Sequence, residues 1–453
     1  MDLFESDLQF SKIIFRNKFY YPSEINAAIN EFVGYLNTNS KQSNSPFIYL
    51  FAANHIKTVI AYFAIIKSNR ICVLVDPEIK KLELGEMKQD TPPYAMIKFE
   101  KETDTFDFQK EVVFTGNNID IDSKEIEDVC TIAYTNAEDG FAKGAMLTKK
   151  NILSNAKAIL DCDKIVTGSV CCGLVPFNHL YGLQTGVLAP LLAGESLLIS
   201  DITNLKEFKK IVHSLGIYKV TNIYSIPIIY HLISKCANID QHLSTATTIV
   251  SGGYKLHSDI FKNFLKKSNK FIRNGYGLTE ASPICTWHRP DDPVKIESIG
   301  RAFSHCDVKI LDDNGIELQT GQTAEICVKG DNVMKGYYNN PITTEKTLKN
   351  GWLHTGDLGA KDEDHYFYYT GLKKQMLNSA GNNVYPAEVE RLIKQHPNVF
   401  SVKVTGKNDD FHGHYVIGTV KLKDNDLKQQ AEFKKWCFEN ISYFKIPRVF
   451  IFN

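Results

Sequence analysis

Apolar positions recur along this chain at two different periods, and each switch of period marks an element. Between residues 22 and 36, Ile25, Ile29, Phe32, Val33 and Leu36 fall on one face of a helix, with Pro22 and Ser23 supplying its start. The run FIYLF at 47–51 predicts a short buried strand, residues 55–67 return to helical spacing, and 71–77 read as a second strand stopped at Pro77. Strand, helix and strand in that order predict a βαβ unit. The same alternation through the first half of the chain predicts an α/β architecture, a parallel sheet covered by helices.

From about residue 300 the pattern changes. Residues 307–311 and 325–329 alternate around the turn 312–315, whose Gly315 suits a hairpin. Near residue 370 it changes again. A helix is predicted to begin at Pro386 and run to 396, followed by strands at 399–404 and 414–422, a helix over about 428–440 and a last strand at 448–452. These form an α+β module of domain size, with residues 369–375 as the natural linker. The chain shows no internal repeat and no low-complexity tract.

Composition narrows the function classes. The 453 residues include 52 Lys plus Arg and 52 Asp plus Glu, a formal charge of zero. No net counterion release follows, so neither nucleic acid nor an anionic membrane surface is an expected partner. With 43% hydrophobic and 11% aromatic residues, the chain has ample material for two or three large cores. The start, MDLFESDLQF, is acidic where an export signal is basic, and the apolar runs 59–66 and 186–199 are too short or carry Glu195 to span a bilayer. Ten cysteines without a C-x-x-C pair predict ordinary core thiols in a reduced, cytoplasmic protein.

Four segments carry candidate chemistry. In 128–152 an apolar strand enters a loop with Thr135, Gly140, Lys143 and Gly144, and then a helix capped near Thr148. Backbone N–H groups, a hydroxyl and a lysine at a strand–loop–helix junction can cradle phosphate. The spacing is not that of a P-loop, because Lys143 precedes Gly144, and alone the segment reads equally as a surface turn. In 271–283, Gly275 and Gly277 allow close backbone approach while Tyr276 can stack, the Thr279 hydroxyl can hold a phosphate oxygen and Glu280 offers a hard ligand for Mg²⁺. An ordinary strand-to-turn junction explains the same residues. In 351–359, Asp357 follows Gly356, where one carboxylate can accept from both hydroxyls of a ribose or can simply close a turn. In 176–182, His179 reads either as a buried core histidine or as a base.

The order of these segments, together with 251-SGGYKL-256, 276-YGLTE-280, 334-MKGYYNNPITTEKT-347, 355-TGD-357 and 369–390, resembles the acyl-adenylate-forming superfamily of acyl-CoA synthetases, aryl-CoA ligases, luciferases and peptide-synthetase adenylation domains. The resemblance covers nearly the whole chain. It implies a large N-terminal domain (1–369) of doubly wound sheets plus a small β-barrel, a hinge linker (370–375) and a small mobile α+β C-terminal domain (376–453). It implies ATP-dependent conversion of a carboxylic acid to acyl-AMP, then a thioester with CoA or the thiol of an acyl carrier protein. Carried over by position, Thr135, Gly140, Lys143 and Gly144 lie in the phosphate loop. Ser251, Gly252, Gly253, Tyr276 and Gly277 border the nucleotide, Thr279 contacts the α-phosphate, Glu280 holds Mg²⁺ and Asp357 binds the ribose diol. His179 gates or lines the acyl pocket and Lys374 is the pivot. The wording of 176–182 implies an acid without an α-amino group, and Tyr181, Tyr224 and Tyr230 fit an aromatic or medium-chain acyl group, although core packing explains them as well.

The chain departs from the superfamily in its nucleotide chemistry. Residues 136–139, Asn-Ala-Glu-Asp, stand in place of a Ser/Thr/Gly run, and Leu372 stands in place of an arginine. Residues 443–453 resemble the approach to a catalytic lysine that is not among them, and Lys445 is not at its position. These departures imply slowed adenylation. They keep two alternatives beside the ligase: a relative that binds nucleotide or acyl-adenylate without efficient adenylation, and a non-enzymatic partner protein.

Overall fold

The computed structural model describes residues 3–39, 43–100, 102–117, 119, 123–135, 142–200, 208–373, 377–379, 382–409 and 413–453. The predicted βαβ unit is present. Strands Phe47–Phe51 and Ile71–Val75, both buried at every position, pair in parallel around helix Ile56–Lys67. That helix is buried on all sides but its last residue, which explains why its sequence carries almost no polar face. Its one internal charge, Lys57, is fully buried, and its ammonium donates to Glu111 Oε1 at 2.6 Å and to Thr103 Oγ1 at 2.8 Å. Helix Pro22–Thr38 begins at the proline, and Ile25, Ile29, Phe32 and Leu36 point inward as the spacing requires.

Two parallel-based sheets result. One holds seven strands in the order Gly336–Tyr337, Lys143–Thr148, Val129–Thr135, Ile71–Val75, Phe47–Phe51, Ala95–Ile97, Val112–Phe114. The other holds nine, running from Arg301–Ala302 through Ile284–Trp287, Arg273–Gly277, Thr248–Ser251, Asn222–Ser225, Val170–Gly173 and Ser196–Ile199 to the N-terminal strands Ile13–Phe15 and Lys18–Tyr20. Helix Lys149–Asp163 starts at Thr148, whose hydroxyl accepts from Asn151 N–H at 3.1 Å while Asn151 Oδ1 accepts from Thr148 N–H at 2.8 Å, a reciprocal cap. The predicted hairpin pairs Cys306–Leu311 with Ala324–Gly330, and Trp352–Lys361 adds to it in an antiparallel sheet of five.

The C-terminal α+β module also follows the pattern. Helix Pro386–Ile393 precedes the antiparallel pair Val399–Asp409 and Gly413–Leu422, and strand Val449–Phe452 joins the latter in parallel after helix Leu427–Asn440. The chain divides into two compact units. The first comprises Met1–Pro77, Pro92–Ala133 and Ala145–Gly371; the second comprises Glu78–Thr91, Tyr134–Gly144 and Leu372–Asn453. The second unit contains a buried clasp. Lys445 Nζ donates to Glu83 Oε1 at 2.5 Å and to Glu388 Oε1 at 2.8 Å, while Glu83 Oε2 also accepts from Ser442 N–H at 2.9 Å. All ten cysteines are free, and no described helix is long and apolar enough to cross a membrane.

The buried pair Lys57–Glu111 gives a stability prediction. Replacing Lys57 by Met leaves Glu111 buried with its main charge partner gone. We expect a loss of about 3–5 kcal/mol of unfolding free energy, read from urea denaturation followed by tryptophan fluorescence.

Candidate functional site

The site in the first unit is built on two glycine-bearing turns. In strand Arg273–Gly277, the chain reverses directly after Gly277, which pairs with Ile284 on the returning strand. A Cβ on Gly277 would lie 1.8 Å from the Pro283 carbonyl oxygen, so only glycine admits the reversal. Leu278 N–H donates to that same oxygen at 2.8 Å. Residues Thr279–Ala281 form a single 3₁₀ turn between these points. Buried amides pin its far side: Asn332 Nδ2 donates to Ala281 O at 3.1 Å, and Gln184 Nε2 donates to Ser282 O at 2.9 Å. Thr279 and Glu280 are left half-exposed at the tip.

Glu280 is held at both ends. Its carbonyl accepts from Met334 N–H at 2.8 Å, and its carboxylate accepts from the Tyr337 hydroxyl at 2.7 Å. Tyr337 is fixed in turn by the pairing of Gly336–Tyr337 with Met146 and Ala145. The second turn lies in strand Trp352–Lys361, where Gly356 adopts a left-handed φ of 77°. Its N–H donates to Glu325 Oε1 at 2.8 Å, and Asp357 N–H donates to Thr355 Oγ1 at 3.1 Å.

The two turns meet through one hydrogen bond, from the Tyr276 hydroxyl to Asp357 Oδ2 at 2.6 Å. Burial pushes the Asp357 carboxyl up to about 7, and the negative charges of Glu280 and Glu325 push in the same direction, while the tyrosine bond opposes them. This region of the first unit therefore concentrates carboxylate charge at the ends of turns. Such an arrangement suits a ligand that brings hydroxyl donors or a cation.

The structure joins Tyr276 to Asp357 by a hydrogen bond and sets Thr279 and Glu280 on the turn that follows Gly277. Ser251 ends strand Thr248–Ser251 with its hydroxyl buried and unpartnered among the described residues. Gly252 donates its N–H to Ser225 O at 3.0 Å and lies so close to the Tyr181 ring that a Cβ would come within 3.2 Å of it. Gly253 is left-handed at φ 84°. His179 starts helix Leu180–Leu183 with an exposed side chain, so it is not a core histidine. In the second unit, Thr135 ends one strand and Lys143 and Gly144 begin the next. Gly140, residues 136–139 and Lys374 lie outside the described residues. Sequence reasoning left Tyr337 and Glu325 without roles. Tyr337 stands in the quoted segment 334–347, and Glu325 is a carboxylate in an otherwise apolar strand, the one signal that marked it.

Fold and site together define a doubly wound α/β protein whose polar site sits on turns that follow sheet strands. The chain belongs to the AMP-binding enzyme family, whose pattern matches residues 20–338, and residues 388–453 match the AMP-binding enzyme C-terminal domain. It is 33% identical over 397 residues to a putative acyl-CoA synthetase, YngI, of Bacillus subtilis, covering 83% of this chain and 71% of the relative. It is 31% identical over 338 residues to a long-chain-fatty-acid–CoA ligase of Escherichia coli O6:H1, covering 72% of this chain and 58% of the ligase, less than two thirds of its length. The fold is shared with a solved malonyl-CoA ligase complexed with methylmalonyl-CoA and AMP, at a TM-score of 0.82 and 20% identity over 99% of this chain and 96% of the other.

The elevated Asp357 carboxyl is directly testable. Carbon-13 NMR of aspartate side chains should find two carboxyls titrating near pH 7, Asp357 and the buried Asp163, and Asp357→Asn should remove one of them. Tyr276→Phe should move the Asp357 carboxyl higher, because the lost hydrogen bond favours the ionised form. A folded-state value above the ordinary one near 4 means that stability is greatest below that ordinary value, falls as pH rises through the window up to about 7, and levels off above it. Asp357→Asn should reduce that slope in unfolding measurements and leave the share contributed by the similarly raised Asp163.

Proposed function

We propose that this chain activates a carboxylic acid with ATP, releasing pyrophosphate, and passes the acyl group from AMP to the thiol of CoA. The observation that carries the reading is the hydrogen bond of Tyr276 to Asp357, which sets a ribose-holding carboxylate against the Thr279–Glu280 turn. In support, relatives at about 30% identity over most of this chain bear the names of CoA synthetases and ligases, and the malonyl-CoA ligase of like fold holds AMP and a CoA thioester.

In this reading the ionised Asp357 accepts from both ribose hydroxyls. Gly252, Gly253 and the Tyr276 ring border the adenine beside Ser251 and Gly277, and the Thr279 hydroxyl donates to the α-phosphate. Lys143 with Thr135, Gly140 and Gly144 faces the departing phosphates. A magnesium ion fits this donor set, since Glu280 supplies a hard carboxylate oxygen and its charge stands near that of Asp357, which burial chiefly and this repulsion further hold raised. When bound, the ion neutralises phosphate charge as pyrophosphate leaves. The chain's own residues hold the carboxylate oxygen of the acid in line with the α-phosphorus, which converts a bimolecular attack into a positioned one. The thiolate sulfur then attacks the acyl carbon and AMP departs. Lys374, in the linker 370–375 between domains 1–369 and 376–453, is the pivot between the two half-reactions.

The acid is aromatic or of medium chain length. Tyr224 and Tyr230 are fully buried, and the Tyr230 hydroxyl is spent on Val250 O at 2.6 Å, so Tyr181 beside Gly252 is the wall residue of the three, with His179 at the entrance. CoA is the thiol donor favoured over a carrier protein, and ten free cysteines support a cytoplasmic setting.

A pyrophosphate-release assay over a panel of carboxylic acids with ATP, Mg²⁺ and CoA tests the reading. We expect turnover with an aromatic or medium-chain acid and a fall of about 100-fold or more in kcat for Glu280→Ala. Asp357→Asn should act mainly on the KM for ATP. Absence of pyrophosphate release with every acid would remove the ligase assignment.

A further inference from the structure

We propose that Glu325, Cys327 and His354 form a binding site for a thiophilic divalent cation such as zinc. The three residues lie on adjacent antiparallel strands. Cys327 stands directly opposite His354 in the register, and Glu325 is two positions earlier on the strand of Cys327. Their ligand atoms converge. His354 Nδ1 is 3.0 Å from Glu325 Oε2 and 3.5 Å from Cys327 Sγ, and all three atoms lie within 4.8 Å of one another.

These separations match a metal's coordination shell. Zinc–nitrogen and zinc–oxygen bonds of about 2.0–2.2 Å and a zinc–sulfur bond of about 2.3 Å, at tetrahedral angles, place nitrogen and oxygen about 3.4 Å apart and nitrogen and sulfur about 3.6 Å apart. Small side-chain shifts bring the observed atoms onto those edges.

The geometry also argues against a cysteine nucleophile. A Cys–His–carboxylate relay needs the thiol on one ring nitrogen and the carboxylate on the other, so that the imidazole can pass a proton between them. Here both approach Nδ1, the arrangement of a chelate. Carboxylate and thiolate together carry two negative charges, which a divalent cation neutralises in a site where Glu325 and Cys327 are buried. Binding moves the thiol proton to solvent and leaves the imidazole proton on Nε2. Glu325 is already oriented by the bond from Gly356 N–H to its other oxygen, the kind of support that fixes a ligand in place. The half-buried His354 leaves an opening for entry and for a water as fourth ligand.

Cobalt(II) titration of the full chain tests the site, since a cobalt–thiolate bond produces charge-transfer absorption in the near ultraviolet. We expect one equivalent of cobalt to generate the band and one equivalent of zinc to abolish it. Cys327→Ser should remove the band, and His354→Ala should weaken cobalt binding by about 10- to 100-fold. Cys236→Ser, at a free thiol elsewhere, should leave it intact. Circular dichroism melts establish that each variant is folded, and His354→Ala carries the test if Cys327→Ser does not fold. A wild-type chain without the band, a band that survives Cys327→Ser, or one lost in Cys236→Ser would overturn the proposal.

Discussion

The site depends on carboxylates presented by backbone turns and oriented by hydrogen bonds. Glu280, Glu325 and Asp357 each have at least one oxygen fixed by a neutral donor: Tyr337, Gly356 and Tyr276 respectively. Neutral donors orient a carboxylate without cancelling its charge, and the Asp357 carboxyl is raised first by burial and further by the charges of Glu280 and Glu325. An arginine in the place of either tyrosine would pair its carboxylate and lower that strain. It would also compete with a ribose diol or a cation for the same oxygens.

Backbone geometry sets how closely those carboxylates can be presented. The reversal after Gly277 needs a position without a side chain, and the left-handed Gly356 turns its N–H toward Glu325. Both turns extend from strands whose pairing is settled by large cores, so their tips inherit the rigidity of the sheets. Asn332 and Gln184 add to this by donating into the back of the Thr279–Ala281 turn from distant segments. Their role explains why polar side chains occur at zero exposure inside an apolar region: each satisfies carbonyls that a tight turn cannot satisfy itself.

Much of this was legible in the sequence because it is local. The βαβ unit at 47–75, the hairpin closed near Gly315, the cap at Thr148 and the C-terminal α+β module all follow from periodicity and turn residues within a few positions. The motif wording likewise singled out Tyr276, Thr279, Glu280 and Asp357. Long-range pairing was not legible. The strand Ile13–Phe15 inserts beside Ser196–Ile199, more than 180 residues away, and nothing in either segment names the other. Tyr337 reaches Glu280 across 57 residues, and Glu325 reaches Gly356 across 31. Alternation placed Glu325 on one face of a strand but could not say that this face meets a glycine turn. The seven-strand order is similarly invisible, since short apolar strands such as Phe47–Phe51 and Ile71–Val75 carry nothing that tells one neighbour from another.

Lys445 shows how structure reassigns a residue that motif position leaves open. Its segment resembles the approach to a catalytic lysine, although Lys445 does not stand at that lysine's position. In the second unit its ammonium is instead 3% exposed and shared by Glu83 and Glu388. Burial alone would lower its pKa, but the two carboxylates outweigh burial and hold it raised, so it stays charged and bound. Withdrawing it would strand two buried carboxylates, one of which, Glu388, already has an oxygen without a partner among the described residues, at a cost of several kcal/mol. A group committed this firmly to packing cannot also follow charge that develops on a phosphate. In the proposed adenylation that task would fall to Lys143, and Lys445 serves the fold.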